Sequence, residues 1–317
     1  MDAETLQILR SNLFEHPRQN KDTFQITVKQ EKLSRIDDKR KGMELTYVKN
    51  DVREVYYPGI TNKEENVWMI GYITDIHINH RLKQIKTEHT QNVLKEIQSI
   101  ASTIASQIDN MLLIGGDTSC DPVIYEAFIS LLRKELDDRN KKDSCVVVIL
   151  GNHELMYSES DGLERTISEY KKITRKYGMF LLHNELLYHA EDQYKTLGED
   201  YILEMSYLEL QSYLRKADMI ILGGIGFSGC NEILNADTGI YGAAINRERE
   251  IEESHRFLNL HRKVMDALDG RAVVVFTQMP INCWDSEKKY ADGFTYVSGH
   301  TQYNEYRNNG PTRFIAD

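Results

Sequence analysis

The chain has 317 residues, 41% hydrophobic and 28% charged, which supplies apolar material for a large core and excludes global disorder. Its formal net charge of -10 argues against a protein whose task is to coat nucleic acid, although a nuclease with a locally positive site stays open. No apolar run approaches a membrane span, and Met1-Asp2-Ala3-Glu4 lacks the basic and apolar regions of a secretory signal.

Residues 1–65 read as an N-terminal extension of unknown role. Leu6, Leu9 and Leu13 are spaced for one face of a short helix that Pro17 ends, and Phe24, Ile26 and Val28 alternate like a strand. The stretch 47–57 reads as one or two further strands, closed by Pro58-Gly59. Residues 66–317 read as the main domain, where strands and helices alternate. Val67 to Thr74 is a strand leading into Asp75-Ile76-His77, followed by a helix from about residue 87 to 108 with Leu94, Ile97, Ala101, Ile104 and Ile108 on one face. Met111 to Gly116 is a strand leading into Asp117, then a helix over 123–136. Val146 to Leu150 is a buried strand, broken by Gly151 and followed at once by Asn152, His153 and Glu154.

Further along, 162–177 reads as a helix, 180–182 as a short strand and 219–222 as a buried strand. Residues 243–268 read as a long amphipathic helix on Ile251, Phe257, Leu260 and Val264, with His255 and His261 on its solvent side. Ala272 to Thr277 leads into Gln278, and Phe294 to Gly299 leads into His300-Thr301-Gln302. Cys120, Cys145, Cys230 and Cys283 show no C-x-x-C pairing and read as reduced thiols of a cytoplasmic protein. His80, His89 and His183 read as surface or hydrogen-bonded histidines, and Tyr241 and Trp284 as core.

Five strand-like runs thus deliver potential metal ligands at the same end, the end where open α/β sheets build their sites. Asp75 and His77 are two apart, so on extended backbone both face one cation. Asp117 can bridge two cations, and Asn152 offers a neutral carbonyl oxygen. His153, next in the chain, should point elsewhere and be free for proton transfer. Mixed oxygen and nitrogen donors suit divalent manganese, iron or zinc, and a pair of such ions can activate water against a phosphoryl group.

The series D-x-H, G-D, G-N-H-E, x-M-P and G-H-T-x resembles the calcineurin-like metallophosphoesterase family, from about Val67 onward. The resemblance implies a four-layer α/β/β/α sandwich with a binuclear metal centre. It assigns Asp75, His77 and Asp117 to one metal, and Asp117, Asn152 and His300 to the other, with positions 278 and 302 each completing one of them. It makes His153 the general acid or phosphate contact, and Asn152 and His153 the substrate-binding pair. The family has histidine at the two positions held here by Gln278 and Gln302. An amide oxygen is a weaker donor than imidazole to zinc or iron and better accepted by manganese or magnesium, so the expected cofactor is two divalent ions, manganese foremost, with iron, zinc or magnesium as the alternatives.

Three readings follow: an active phosphoesterase with oxygen-richer ligation, a degenerate relative that binds a phosphoester or protein partner in the same cleft, or glutamines introduced to hold an inactive state. The G-D motif continues Thr118-Ser119-Cys120, with neither the arginine of the protein phosphatases nor the histidine of the repair nucleases. The expected substrate is therefore a small-molecule or nucleotide phosphoester, with no membrane partner.

Overall fold

The computed structural model describes residues 53–58, 67–84, 90–268, 271–300 and 313–315. The helix and strand read within 1–50, His89 and Gln302 lie outside the described residues. Strands β1 (Arg53–Pro58), β2 (Val67–Ile73), β3 (Met111–Ile114), β4 (Cys145–Val148) and β5 (Phe180–Leu181) form one sheet in that order. β1 runs antiparallel to β2, so part of the stretch assigned to the N-terminal extension is an edge of this sheet. β2 to β5 run parallel. The second sheet has the order β11-β10-β9-β8-β6-β7, built from β6 (Glu185–Ala190), β7 (Gln193–Gly198), β8 (Met219–Gly224), β9 (Val273–Thr277), β10 (Phe294–Ser298) and β11 (Arg313–Ile315). There β8, β9, β10 and β11 run parallel, and β6 joins them antiparallel.

Strand pleating explains how the two sheets pack. Ile70, Tyr72, Met111, Leu113, Cys145 and Val147 alternate along β2 to β4, and they share one cluster with Leu187, Met219, Ile221, Val274, Phe276 and Val297 of the second sheet. These are inner-face residues of two sheets laid face to face. The intervening residues, such as Leu112, Ile114, Val146 and Val148, are buried as well, which requires a helical layer outside. For the first sheet α1 (Ile78–Gln84), α2 (Thr90–Ser106), α3 (Pro122–Asp138), the single turn α4 (Asn152–Leu155) and α5 (Leu163–Lys176) supply it. For the second, α6 (Glu199–Glu204), α7 (Tyr207–Leu214), α8 (Arg247–Ala267) and the turn α9 (Ile281–Trp284) do so. The fold is the α/β/β/α sandwich expected from the sequence. No helix among the described residues is long and apolar enough to cross a membrane.

Helix α3 shows why its boundaries are sharp. Asp121 caps it by accepting from the Val123 and Ile124 N–H groups, and Pro122 occupies the first turn. Helix α8 departs from its reading. His261 lies on the buried face with Phe257, Leu260 and Val264, not toward solvent, and its Nε2 is 2.9 Å from the Tyr296 hydroxyl. Spacings of four, one and three residues put it on the apolar stripe, which the polarity of the imidazole conceals.

Burial lowers the His261 pKa to about 4. An unfolded imidazole titrates near 6.5, so below that pH the unfolded chain takes up a proton that the folded chain refuses. Stability present above pH 6.5 is therefore lost as pH falls toward 4, by about 1.4 kcal/mol per pH unit for one such group. His261→Phe is expected to make urea-unfolding stability fall less between pH 7 and pH 5 than in the parent. An equal fall in both proteins would contradict the assignment.

Candidate metal centre

The parallel strands of both sheets direct their carboxyl ends to one place. Asp75 and His77 follow β2, Asp117 follows β3, Asn152 and His153 follow β4, Gln278 follows β9 and His300 follows β10. Gln278 Nε2 lies 3.3 Å from Asp75 Oδ1 and 3.2 Å from Asp117 Oδ2, and the His300 N–H donates to Asp75 Oδ2 at 3.1 Å. Side chains of the second sheet thereby meet carboxylates of the first.

The backbone carries strain here. Asp75, His77, Asp117 and His300 have φ values of 54°, 49°, 60° and 69°. Left-handed backbone costs a non-glycine residue roughly 1–2 kcal/mol, and such residues gather where a site needs them. Asp75 and His77 thus do not share a face through strand pleating, as the two-residue spacing suggested. Each turns through left-handed backbone after β2 has ended, which brings His77 Nε2 to 4.0 Å from Asp75 Oδ1. Bonds from Asp75 N–H to the Gly116 carbonyl and from His77 N–H to the Asp117 carbonyl hold this turn against the β3 loop.

Two glycines of the motifs are required by close approach. A Cβ on Gly151 would stand 2.3 Å from Asp117 Oδ1, and one on Gly299 would stand 2.5 Å from Asp75 Oδ2. Both lie inside van der Waals contact, so neither position has room for a side chain while the carboxylates stay where they are.

Glu154 has a role that the sequence reading did not assign. Its buried carboxylate accepts from the N–H groups of Gly151, Asp117 and Ser119 at 2.7, 2.9 and 2.9 Å. It clamps the β3 loop to the β4 turn, which fixes Asp117 against Asn152. Asn152 Nδ2 donates to the Ile240 carbonyl at 3.2 Å, and this orients the amide. The Asn152 Oδ1 atom is left buried and without a partner, as is Gln278 Oε1.

Burial pushes the Asp75 carboxyl above the usual range. Burial, then the charges of Asp75 and Glu154, push Asp117 well above it. Among the imidazoles, burial and then the neighbouring His153 and His80 lower His77 to about 3. Burial and then His80, His300 and Lys83 lower His153 to about 4. The site therefore holds carboxylates short of positive charge, imidazoles with free lone pairs and two unpartnered amide oxygens. That donor set fits divalent cations. His77, Asp117 and His153 bring ligand atoms within 4.8 Å of one another. The His153 ring thus joins the cluster rather than pointing away from it, while the His153 backbone N–H donates to Asp117 Oδ1 at 2.8 Å. The sequence reading makes His80 a surface or hydrogen-bonded histidine. It is exposed, but its ring centroid lies 5.4 Å from that of His77 and 5.8 Å from that of His153. Its spacing of three residues from His77 across the start of a helix was the available signal.

Residues 69–309 match the family of calcineurin-like phosphoesterases. The chain belongs to the calcineurin-like phosphoesterase family. No curated protein gives a significant match. Within this calcineurin-like phosphoesterase, Gln278 is the residue whose orientation matters most. Its nitrogen faces the carboxylates, and ligation by Oε1 would require the amide to turn over. An imidazole needs no such exchange of atoms, and it is the better zinc donor. Gln278→His is expected to raise zinc affinity at least about tenfold, measured by competition with a chelating dye. Equal zinc affinities would show that position 278 does not meet the metal.

Proposed function

We propose that the protein hydrolyses a phosphate monoester or diester in a reaction that depends on two divalent ions, manganese foremost. The observation that carries this reading is the convergence of Asp75, His77, Asp117, Asn152, Gln278 and His300 from the ends of strands in both sheets. Asp75, His77 and Asp117 would hold one ion, and Asp117, Asn152 and His300 the other, with Gln278 and Gln302 each completing one of the two sets. When bound, the ions supply positive charge that offsets the phosphoryl oxygens and makes water acidic near neutral pH.

The chain's own residues do the rest. Asp117 accepts from the His153 backbone N–H with Oδ1 and from Gln278 Nε2 with Oδ2, and its carboxylate would be the group shared between the two ions. Asn152 is held by Ile240 with its oxygen turned inward, and with His153 it orients the phosphoryl group. As water adds to phosphorus and the ester P–O bond breaks, His153 gives the departing oxygen its proton. Its ring is neutral in the free protein, so the negative charge of a bound phosphate must raise its proton affinity first. Four free cysteines suit a reducing compartment, which supports a cytoplasmic location.

One observation favours the second reading, a phosphoester-binding relative with little turnover. Gln278 already satisfies Asp75 and Asp117 with its own N–H groups. Rates on p-nitrophenyl phosphate and bis-p-nitrophenyl phosphate decide between the two. Turnover that is lost in chelator and restored by manganese is expected; binding of phosphate without turnover of either ester would establish the second reading.

A further inference from the structure

Helix α1 carries a basic face that the metal centre does not use. Ile78 and Leu82 are buried and anchor the helix, while His80 and Lys83 are exposed. Asn79 Oδ1 accepts from the Ser119 hydroxyl at 2.8 Å and from the Cys120 N–H at 3.1 Å, and Arg81 Nε donates to the Ile76 carbonyl at 2.9 Å. The helix is therefore tied to the same loop that presents Asp117. His80 and Lys83 are three residues apart and so are neighbours on one face.

His80 is stacked on His77 and edge-on to His153, the three rings forming one cluster, and neither ring nitrogen of His80 has a hydrogen-bond partner among the described residues. Lys83 makes no ion pair among the described residues, although the chain has 49 acidic residues against 39 basic ones and many of its other cations are paired. Lys83 follows His80 by one helical turn on the exposed face, so it flanks the ring that stands against His77 and His153. An exposed cation without an ion-pair partner among the described residues and a hydrogen-bonding ring stand beside the groups that would hold the scissile phosphoryl.

We propose that His80 and Lys83 form an anion-binding lip, and that the preferred substrate is a phosphoester carrying a second phosphate. This rests on the phosphoesterase reading of the adjoining centre. The lip takes the second phosphate and leaves the first over Asp117 and Asn152. An uncharged leaving group finds no partner there.

The probes are adenosine 5′-monophosphate and adenosine 3′,5′-bisphosphate, with the full-length parent, His80→Phe and Lys83→Gln. Phenylalanine keeps the stacking on His77 and removes the ring nitrogens. Equilibrium dialysis of chelator-treated protein is expected to show the parent holding the bisphosphate more tightly than the monophosphate, by about fivefold, with both variants losing most of that preference. With manganese restored, the same preference is expected in KM and not in kcat, and it should shrink as salt is raised. No preference in the parent, or a preference retained by both variants, would overturn the lip while leaving the phosphoesterase reading standing. Turnover of neither nucleotide, nor of the p-nitrophenyl esters, would overturn the phosphoesterase reading, and the dialysis result then judges the lip on its own.

Discussion

Replacing Asp117 with asparagine is expected to abolish manganese-dependent turnover and to erase the rise in melting temperature that manganese gives the parent. The shared carboxylate is the one residue that both ions would touch, so its loss removes a charge from each site at once. Bound metal stabilises the folded state by mass action, about 2.7 kcal/mol at a hundredfold excess over Kd, and this contribution disappears with the ligand. The same substitution should not destabilise the protein in chelator. Asp117 is buried beside Asp75 and Glu154, and its folded pKa is raised. A carboxyl whose folded pKa lies above its unfolded value opposes folding when ionised, so a neutral amide relieves that cost near neutral pH. Melting curves with and without manganese separate the two effects. A variant that keeps the parent's manganese shift would contradict the bridging role.

The second large effect concerns His153. If it protonates the leaving oxygen, His153→Ala should lower turnover by about 10²–10⁴-fold, the usual range for a general acid. The loss should be greater for alkyl phosphoesters, whose leaving group needs the proton, than for p-nitrophenyl esters, whose leaving group does not. Metal must be counted in every sample, because the ring lies within ligand distance of His77 and Asp117. Equal losses on both ester types would leave His153 only a phosphate-positioning role. Loss of metal in the variant would make it a ligand.

Much of this architecture was legible in the sequence because buried parallel strands announce themselves. Val146, Val147 and Val148 are apolar on both faces of β4, and Gly151-Asn152 marks where the chain leaves the sheet. The β6–β7 hairpin was not legible. Its two-residue turn is Glu191-Asp192, both at positive φ, where the usual signal is Asn-Gly or Asp-Gly. The positions of the ligands were legible but not the means that converge them. Spacing suggested strand pleating for Asp75 and His77, whereas the hydrogen bonds of the neighbouring β3 loop impose left-handed turns.

Contacts between distant segments left no local trace. Asn152 is oriented by the carbonyl of Ile240, 88 residues away, and Glu154 acts through backbone N–H groups that any residue type except proline would supply. Burial of Glu250 and Glu253 on the charged helix α8 was equally hidden. Glu250 is held by the Ser228 hydroxyl, the Ala236 N–H and Arg247, and Glu253 by Arg249 and Arg256. Helical periodicity cannot tell a paired buried carboxylate from a solvated one.

Metal content tests the central claim most directly. The parent and Asp117→Asn are loaded with manganese, freed of unbound metal and measured by elemental analysis. Two manganese ions per chain are expected in the parent and a clear loss in the variant. A parent that retains no manganese, or a variant that retains as much as the parent, would contradict a metal centre built on these strand ends.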